Sequence, residues 1–95
     1  MNLPKSYETC IEFAARCRRF DADPRAFAEL CLLVDRAVRA QVRDMNEQDS
    51  TRSARAIKRA DKRAAEMGWS LDWSPGLHPI GTAPNGERAI AGWWA

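Results

Sequence analysis

The chain has 95 residues, of which 45% are hydrophobic and 29% charged, and its formal net charge at pH 7 is +2. This composition is typical of one folded domain and excludes a disordered chain, and the net charge alone is too small to indicate nucleic-acid binding. No apolar run is long enough to cross a membrane and no secretory signal follows Met1, so we expect a cytoplasmic protein without a membrane partner.

The composition changes at Gly68. All five glycines and all four tryptophans lie after Met67, whereas fourteen of the fifteen Lys and Arg residues precede it. Because glycine favours turns and disfavours helix interiors, this split predicts a helical part at residues 1–67 and a Gly/Trp-rich arm at residues 68–95. We expect the arm to pack on the helical part within a single domain, 1–95.

The first predicted helix runs from about Ser6, which suits an N-cap, to about Phe20. Phe13 and Phe20 either widen its apolar face or contact another element. The residues of that face recur at helical spacing, and they are Tyr7, Cys10, Ile11, Ala14 and Cys17.

The second predicted helix is the longest, from Pro24 to about Met45. Asp23 is its N-cap, and Pro24 suits the first helical position because proline lacks the N–H that would be unpaired there. Gln41 interrupts the apolar stripe, which we therefore expect to be partly exposed near its end. The stripe consists of Phe27, Leu30, Cys31, Val34, Ala37, Val38, Val42 and Met45.

The third predicted helix runs from about Thr51 to Met67, and Gly68 follows it as a left-handed residue. Its inward stripe is thin because half of it is alanine, whose burial contributes little. The stripe consists of Ile57, Ala60, Ala64 and Met67.

The arm has the pattern of short strands joined by turns. Trp69, Leu71 and Trp73 alternate with polar residues, as in a half-buried strand, and we expect both tryptophans to pack the arm onto the helices. Residues 74–77 fit a type II turn, and residues 84–86 fit the turn of a hairpin between strands near 77–82 and 87–93. Pro79 restricts the first of those strands to an edge or a bulge. The predicted fold is mainly α, with three helices around one long central helix, closed by a C-terminal β-hairpin or an irregular aromatic arm.

Cationic side chains on the third helix are the best candidate for a binding site. Residues 52–63 contain six cations and one acidic residue, Asp61. Five of the cations fall on one arc opposite Ile57, and they are Arg52, Arg55, Arg59, Lys62 and Arg63. Such an arc can contact phosphates or an acidic protein, although a solvated face of a weakly hydrophobic helix has the same pattern. Arginines of the first two helices extend this patch only if packing aligns them: Arg16, Arg18, Arg19, Arg36, Arg39 and Arg43.

Two adjacent tryptophans near the end of the chain, Trp93 and Trp94, are a second candidate. On a strand, neighbouring side chains point to opposite faces, so one indole can be buried while the other is left outward. Tryptophan is a frequent anchor in protein interfaces. We therefore include both residues among the candidate partner-binding residues.

Metal binding and catalysis have little support. Cys10 and Cys17 lie about 10 Å apart along a helix axis, too far to share one zinc ion, so we expect the cysteines to act as small buried hydrophobic residues. We expect Cys31, too, to be a small buried hydrophobic residue. His78 is the only histidine, and no nucleophile motif or phosphate-binding loop accompanies it. We expect no enzyme activity, no catalytic residue, no metal and no cofactor.

The overall pattern resembles the small orphan proteins encoded by bacteriophages and prophages. These proteins often join Ala/Arg-rich helices to a compact Gly/Trp-containing tail, as residues 64–69 (AAEMGW) and 84–88 (PNGER) do here. The resemblance covers the whole chain in texture and no motif in detail. It implies either an inhibitor of a host complex, of the anti-CRISPR type, or a small phage regulator, in the host cytoplasm.

Together these features predict a non-enzymatic binding protein, monomeric or homodimeric, that forms a stoichiometric complex with a bacterial protein or ribonucleoprotein. Inhibition of a host defence system is one such role. The alternative is a regulator that binds nucleic acid directly through the basic face of the third helix. The two differ in salt dependence, because phosphate binding weakens steeply as salt rises.

Overall fold

A computed structural model describes residues 11–89. In this range the chain forms three helices and then three short strands: α1 (Ile11–Arg19), α2 (Pro24–Glu47), α3 (Thr51–Glu66), β1 (Ser70–Asp72), β2 (Ile80–Thr82) and β3 (Arg88–Ala89). The strands form one antiparallel sheet in the order β1-β2-β3. This confirms the predicted mainly α fold with a C-terminal β element. The predicted start of the first helix, at Ser6, lies outside the described residues.

The helix boundaries follow from local capping. The Asp23 carboxylate accepts a hydrogen bond of 3.0 Å from the backbone N–H of Ala26, and Pro24 occupies the first turn of α2, as predicted. At the end of α3, Gly68 has a φ of +79°. The N–H of Trp69 donates to the carbonyl of Ala64 at 2.8 Å, which satisfies a carbonyl that the helix end leaves unpaired.

Two further helix ends use left-handed residues that are not glycine. Asp21 follows α1 with a φ of +50°, and Gln48 follows α2 with a φ of +54°. Each is accompanied by the closing hydrogen bond of a helix C-cap, from Ala22 N–H to the carbonyl of Cys17 at 2.8 Å and from Asp49 N–H to that of Asp44 at 2.9 Å. These ends are strained relative to a glycine end, because a side chain disfavours positive φ.

Four aromatic rings form the centre of the core. Phe27 of α2 stacks on Phe13 of α1, with ring centroids 5.4 Å apart, and on Trp69 at 5.6 Å. Phe20 meets Phe27 at 5.7 Å and the edge of Trp69 at 5.1 Å. The side chain of Trp69 is only 5% exposed, which confirms that this residue packs the arm onto the helices.

The buried face of α1 differs from the predicted one. Phe13, Cys17 and Phe20 are buried, whereas Ala14 is exposed and Ile11 is 83% exposed. Phe13, Cys17 and Phe20 are spaced i, i+4 and i+7, so they also form one helical stripe. Burying two phenylalanine rings removes more apolar surface from water than burying Ile11 and Ala14, so the aromatic stripe faces the core.

The last turns of α2 are partly exposed, as the interruption at Gln41 predicts. Val42 and Met45 are exposed, whereas Val34 and Ala37, earlier on the same stripe, are buried. Gln41 itself has a structural role, since its side-chain amide donates to the carbonyl of Leu77 at 3.2 Å. It therefore ties the loop between β1 and β2 to the central helix.

Helices α2 and α3 form an antiparallel pair, since Asp44 contacts Ser53 and Glu29 contacts Arg63. Ala60 and Ala64 are fully buried in α3, and their small side chains allow a close approach. Asp44 is only 3% exposed, and its Oδ2 accepts a 2.7 Å hydrogen bond from the backbone N–H of Ser53 in the first turn of α3. Asp44 thus caps α3 from the neighbouring helix, a role that the sequence did not reveal.

Two predictions about the arm are wrong. Gly76 has a φ of +157°, far from the value of about +80° at this position of a type II turn. The local turn instead depends on Asp72, whose carboxylate accepts from the N–H of Ser74 at 3.0 Å and from its hydroxyl at 2.7 Å. Strand β2 lies at the centre of the sheet and not at its edge. This position is possible because the strand begins after Pro79, so the N–H that proline lacks interrupts no hydrogen bond between strands.

The predicted hairpin turn is confirmed. The N–H of Gly86 donates to the carbonyl of Ala83 at 2.9 Å, and Gly86 adopts the left-handed conformation with a φ of +89°. The turn docks on the end of α1, where the side chain of Asn85 donates to the carbonyl of Arg19 at 2.9 Å. The Arg19 guanidinium in turn lies 3.2 Å from the carboxylate of Glu87.

Candidate functional site

The exposed face of α3 carries cations that have no anionic partner in the part of the chain that the structure describes. Among the described residues, Arg55, Arg59 and Lys62 form no ion pair and no side-chain hydrogen bond, and all three are exposed. Lys58 is likewise exposed and forms no ion pair with another described residue. This part of the predicted arc is therefore a solvent-facing basic surface, available to an anionic partner.

Arg63 does not belong to that exposed face. Its side chain is 28% exposed, and its guanidinium lies 3.3 Å from the carboxylate of Glu29 on α2 and 3.4 Å from that of Glu66. Helical angles place Arg63 on the flank of the arc closest to α2, where packing of the two helices covers it. Its charge is balanced within the protein by these two carboxylates, unlike the charges of Arg55, Arg59 and Lys62, which have no such partner among the described residues.

Arg52 lies at the opposite end of α3 and faces the groove between the helices. Its guanidinium lies 3.7 Å from the carboxylate of Glu47, and both side chains are about half exposed. An exposed pair at this distance is weak, so the guanidinium remains free to exchange its partner.

Arg52 joins three arginines of α2 in a cleft of about 250 Å³, which we call the basic cleft. It is lined by Arg36, Arg39, Ala40, Arg43 and Arg52. The three arginines of α2 recur at intervals of three and four residues, which places them along one side of that helix. Packing of α2 against α3 therefore joins the basic groups of two helices, the condition under which the sequence predicted a larger patch.

The charges in the basic cleft are only partly balanced. Arg39 pairs with Asp35 at 3.1 Å, one turn away on the same helix, and Arg52 pairs with Glu47. Within the described part of the chain, Arg36 and Arg43 have no acidic partner. Two of the four guanidinium groups are thus left to attract an external anion.

Arg16 and Arg19, two of the α1 arginines in the predicted extension, pair with groups outside the basic cleft. Arg16 lies 3.7 Å from Glu12, and Arg19 is held by Glu87 and by the carbonyl of Arg88, to which it donates at 3.3 Å. The candidate anchors Trp93 and Trp94 lie outside the described residues.

The buried thiols are poorly suited to chemistry. Burial raises the pKa of the Cys31 thiol from 9.0 to about 12, and burial likewise raises the pKa of Cys17. Both side chains lie in the core, as the sequence predicted, so the reactive thiolate is disfavoured. Cys10 lies outside the described residues.

Other sites for chemistry are sparse. His78 is half-buried, and its Nδ1 is enclosed without a hydrogen-bond partner. Over residues 11–89, no group of three or more His, Cys, Asp or Glu side chains is placed to share a metal ion. No helix in this range combines the length and the apolar character that a membrane crossing demands.

Comparisons with known proteins give no match: no protein-family model, no curated protein and no solved structure is similar to this chain.

Proposed function

We propose that the protein is a non-enzymatic binding protein that forms a stoichiometric complex with an anionic surface of a bacterial protein or ribonucleoprotein. The observation that carries the proposal is the convergence of four arginines from α2 and α3 in the basic cleft, together with the exposed cations of α3. The contact residues that we propose are Arg36, Arg39, Arg43, Arg52, Arg55, Arg59 and Lys62.

A solvated helix face explains this surface less well. Solvated cations repel one another and gain nothing from proximity, so they need not converge. Here the side chains of two helices line a common cleft, and Arg36 and Arg43 have no acidic partner among residues 11–89, although that range contains other acidic residues. A surface that exchanges its internal ion pairs for ion pairs with a partner is expected to have charges that are only partly balanced in the free protein.

The resemblance to small phage-encoded proteins suggests a cellular role for such a complex. An inhibitor of a host defence system acts by occupying a surface that its target needs. The cationic surface favours targets that use acidic surfaces or nucleic acid, because opposite charges accelerate encounter and exclude wrong partners. A phage regulator that binds nucleic acid directly is the second candidate, favoured by the all-arginine composition of the charged cleft lining.

Charge reversal on α3 tests the proposed function. The triple variant Arg55→Glu, Arg59→Glu, Lys62→Glu should fold normally, because each exposed substitution changes stability by about 0.5 kcal/mol or less. It should lose the partner that the wild-type protein retains from a bacterial lysate.

A matched control reverses three cations outside the basic surface: Arg18, Arg25 and Arg88, all exposed. This control has the same net charge as the α3 variant and should keep the partner. Retention of the partner by the α3 variant across 50–300 mM salt would show that its exposed cations are only a solvated face. Parallel captures with and without nuclease distinguish a protein partner from a nucleic-acid or ribonucleoprotein partner.

A further inference from the structure

We infer that the basic cleft contacts the phosphate backbone of a double-stranded nucleic acid, either free or within a ribonucleoprotein. The inference rests on the proposed function and adds the chemical class of the ligand. Arg36 and Arg43 are the central contacts, and the exposed cations of α3 extend the contact surface.

The side-chain chemistry favours phosphate. Every charged group among the described residues that line the basic cleft is a guanidinium, whose planar fork can donate two parallel hydrogen bonds to one phosphate group. Arg36 and Arg43 are available without breaking any ion pair of the described residues. Arg39 and Arg52 can exchange their exposed carboxylate partners for phosphate oxygens at little cost.

The spacing of the cations suits an extended ligand. Arg36 and Arg43 are seven residues apart on α2, which corresponds to about 10 Å along the helix axis. Arg52 and Lys62 span about 15 Å along α3. Along the axis of a duplex each strand advances roughly 3.4 Å per phosphate, so protein helices that lie along that axis would face about three and four phosphates over these intervals. The surface therefore fits a short stretch of backbone better than a single small anion.

The composition of the cleft also distinguishes between kinds of nucleic acid. Among the described residues, its only uncharged lining residue is Ala40, so this part of the chain offers it no aromatic ring on which an unpaired base can stack. The lining between residues 11 and 89 also contains no Asn or Gln side chain of the kind that commonly reads adenine edges. The contacts should therefore depend on the backbone, with little preference for sequence and with a preference for duplex over single strands.

Fluorescence anisotropy with the full chain tests this inference. The probes are two labelled 20-base-pair DNA duplexes of unrelated sequence, a labelled dT20 strand, and poly-glutamate as a competitor representing acidic proteins. Titrations at 50, 100, 200 and 300 mM salt give the slope of log binding constant against log salt. We expect the two duplexes to bind with dissociation constants within about threefold of each other and more tightly than dT20, and poly-glutamate to compete poorly.

The decisive variant is Arg36→Gln with Arg43→Gln. Each lost phosphate contact lowers the magnitude of the salt slope by about 0.9, so the double variant should lose about 1.8 and bind roughly 10- to 100-fold more weakly at 100 mM salt. The control, Arg18→Gln with Arg25→Gln, removes the same charge from exposed residues outside the cleft and should keep the wild-type slope. Thermal unfolding of each variant verifies that it is folded.

Three outcomes would overturn the inference: duplex binding that is equal in the cleft variant and the wild type, equal weakening by the control variant, or stronger binding of poly-glutamate than of duplex. The same experiments separate a failure of this inference from a failure of the proposed function. If the α3 charge reversal loses a nuclease-resistant protein partner while the wild type binds no duplex, the proposed function stands and the phosphate inference is wrong. If the α3 charge-reversal variant and the cleft variant both bind the lysate partner and the duplex normally, the proposed function and the phosphate inference are both wrong.

Discussion

Trp69 should be the residue whose truncation costs the most stability. Its indole is buried and contacts Phe20 and Phe27 at centroid distances of 5.1 and 5.6 Å. Truncating a buried Trp to Ala typically costs about 3–5 kcal/mol, and each aromatic contact adds roughly 0.5–1.5 kcal/mol beyond surface burial. Because two such contacts are lost, we expect Trp69→Ala to fall in the upper part of the truncation range, about 4–5 kcal/mol, which is a large part of the roughly 5–14 kcal/mol of a domain of this size.

Urea unfolding followed by far-ultraviolet circular dichroism measures this loss, because the signal comes from the helices and does not depend on the number of tryptophans. The matched control is Trp73→Ala. Trp73 is only half-buried, and its indole N–H donates to the carboxylate of Asp61 at 2.8 Å, so we expect its truncation to cost about 1–2 kcal/mol.

A loss below about 1.5 kcal/mol for Trp69→Ala, or a loss equal to that of the Trp73 control, would refute the reasoning. In that case the arm would be an appendage on a core formed by the helices alone. If the reasoning is correct, residues 1–67 without the arm should be helical but should lack a cooperative unfolding transition, because two faces of the aromatic cluster would be open to water.

Three other residues give predictions of their own. Asp44→Ala should cost about 1–2 kcal/mol in urea unfolding, because the part-buried N–H of Ser53 loses its acceptor; a cost no greater than that of the partly exposed control Asp35→Ala would contradict this role. Gln48→Gly should raise the Tm by about 2–6 °C, since glycine relieves the left-handed strain at a φ of +54°, and a lower Tm would count against it. Cys31 has a pKa raised by burial from 9.0 to about 12, so its contribution to stability is complete below pH 9 and is lost as the pH rises toward 12. The free energy of unfolding should therefore fall above pH 9, less steeply in Cys31→Ala, and an identical slope in that variant would show that the thiol does not contribute.

Local signals in the sequence determined several helix ends and the hairpin turn. Asp23 and Pro24 predict the start of α2, Gly68 the end of α3, and residues 84–86 the hairpin turn. Each depends on groups only a few residues apart, whose backbone preferences and hydrogen bonds hardly depend on the rest of the fold. The left-handed ends at Asp21 and Gln48 escaped prediction because neither residue is glycine, and a side chain ordinarily disfavours that conformation.

The functional surface depends on contacts between distant residues. Helical angles placed Arg63 on the basic arc, yet the approach of α2 brings Glu29 to its guanidinium and neutralises it. The same packing brings Arg52 beside the arginines of α2 and makes a cleft that no single helix contains. The sequence by itself determined which residues are cationic and on which side of each helix they lie. Only the tertiary structure decided which of them meet, because the packing of two helices sets the distances between their side chains, and electrostatic interactions depend on those distances.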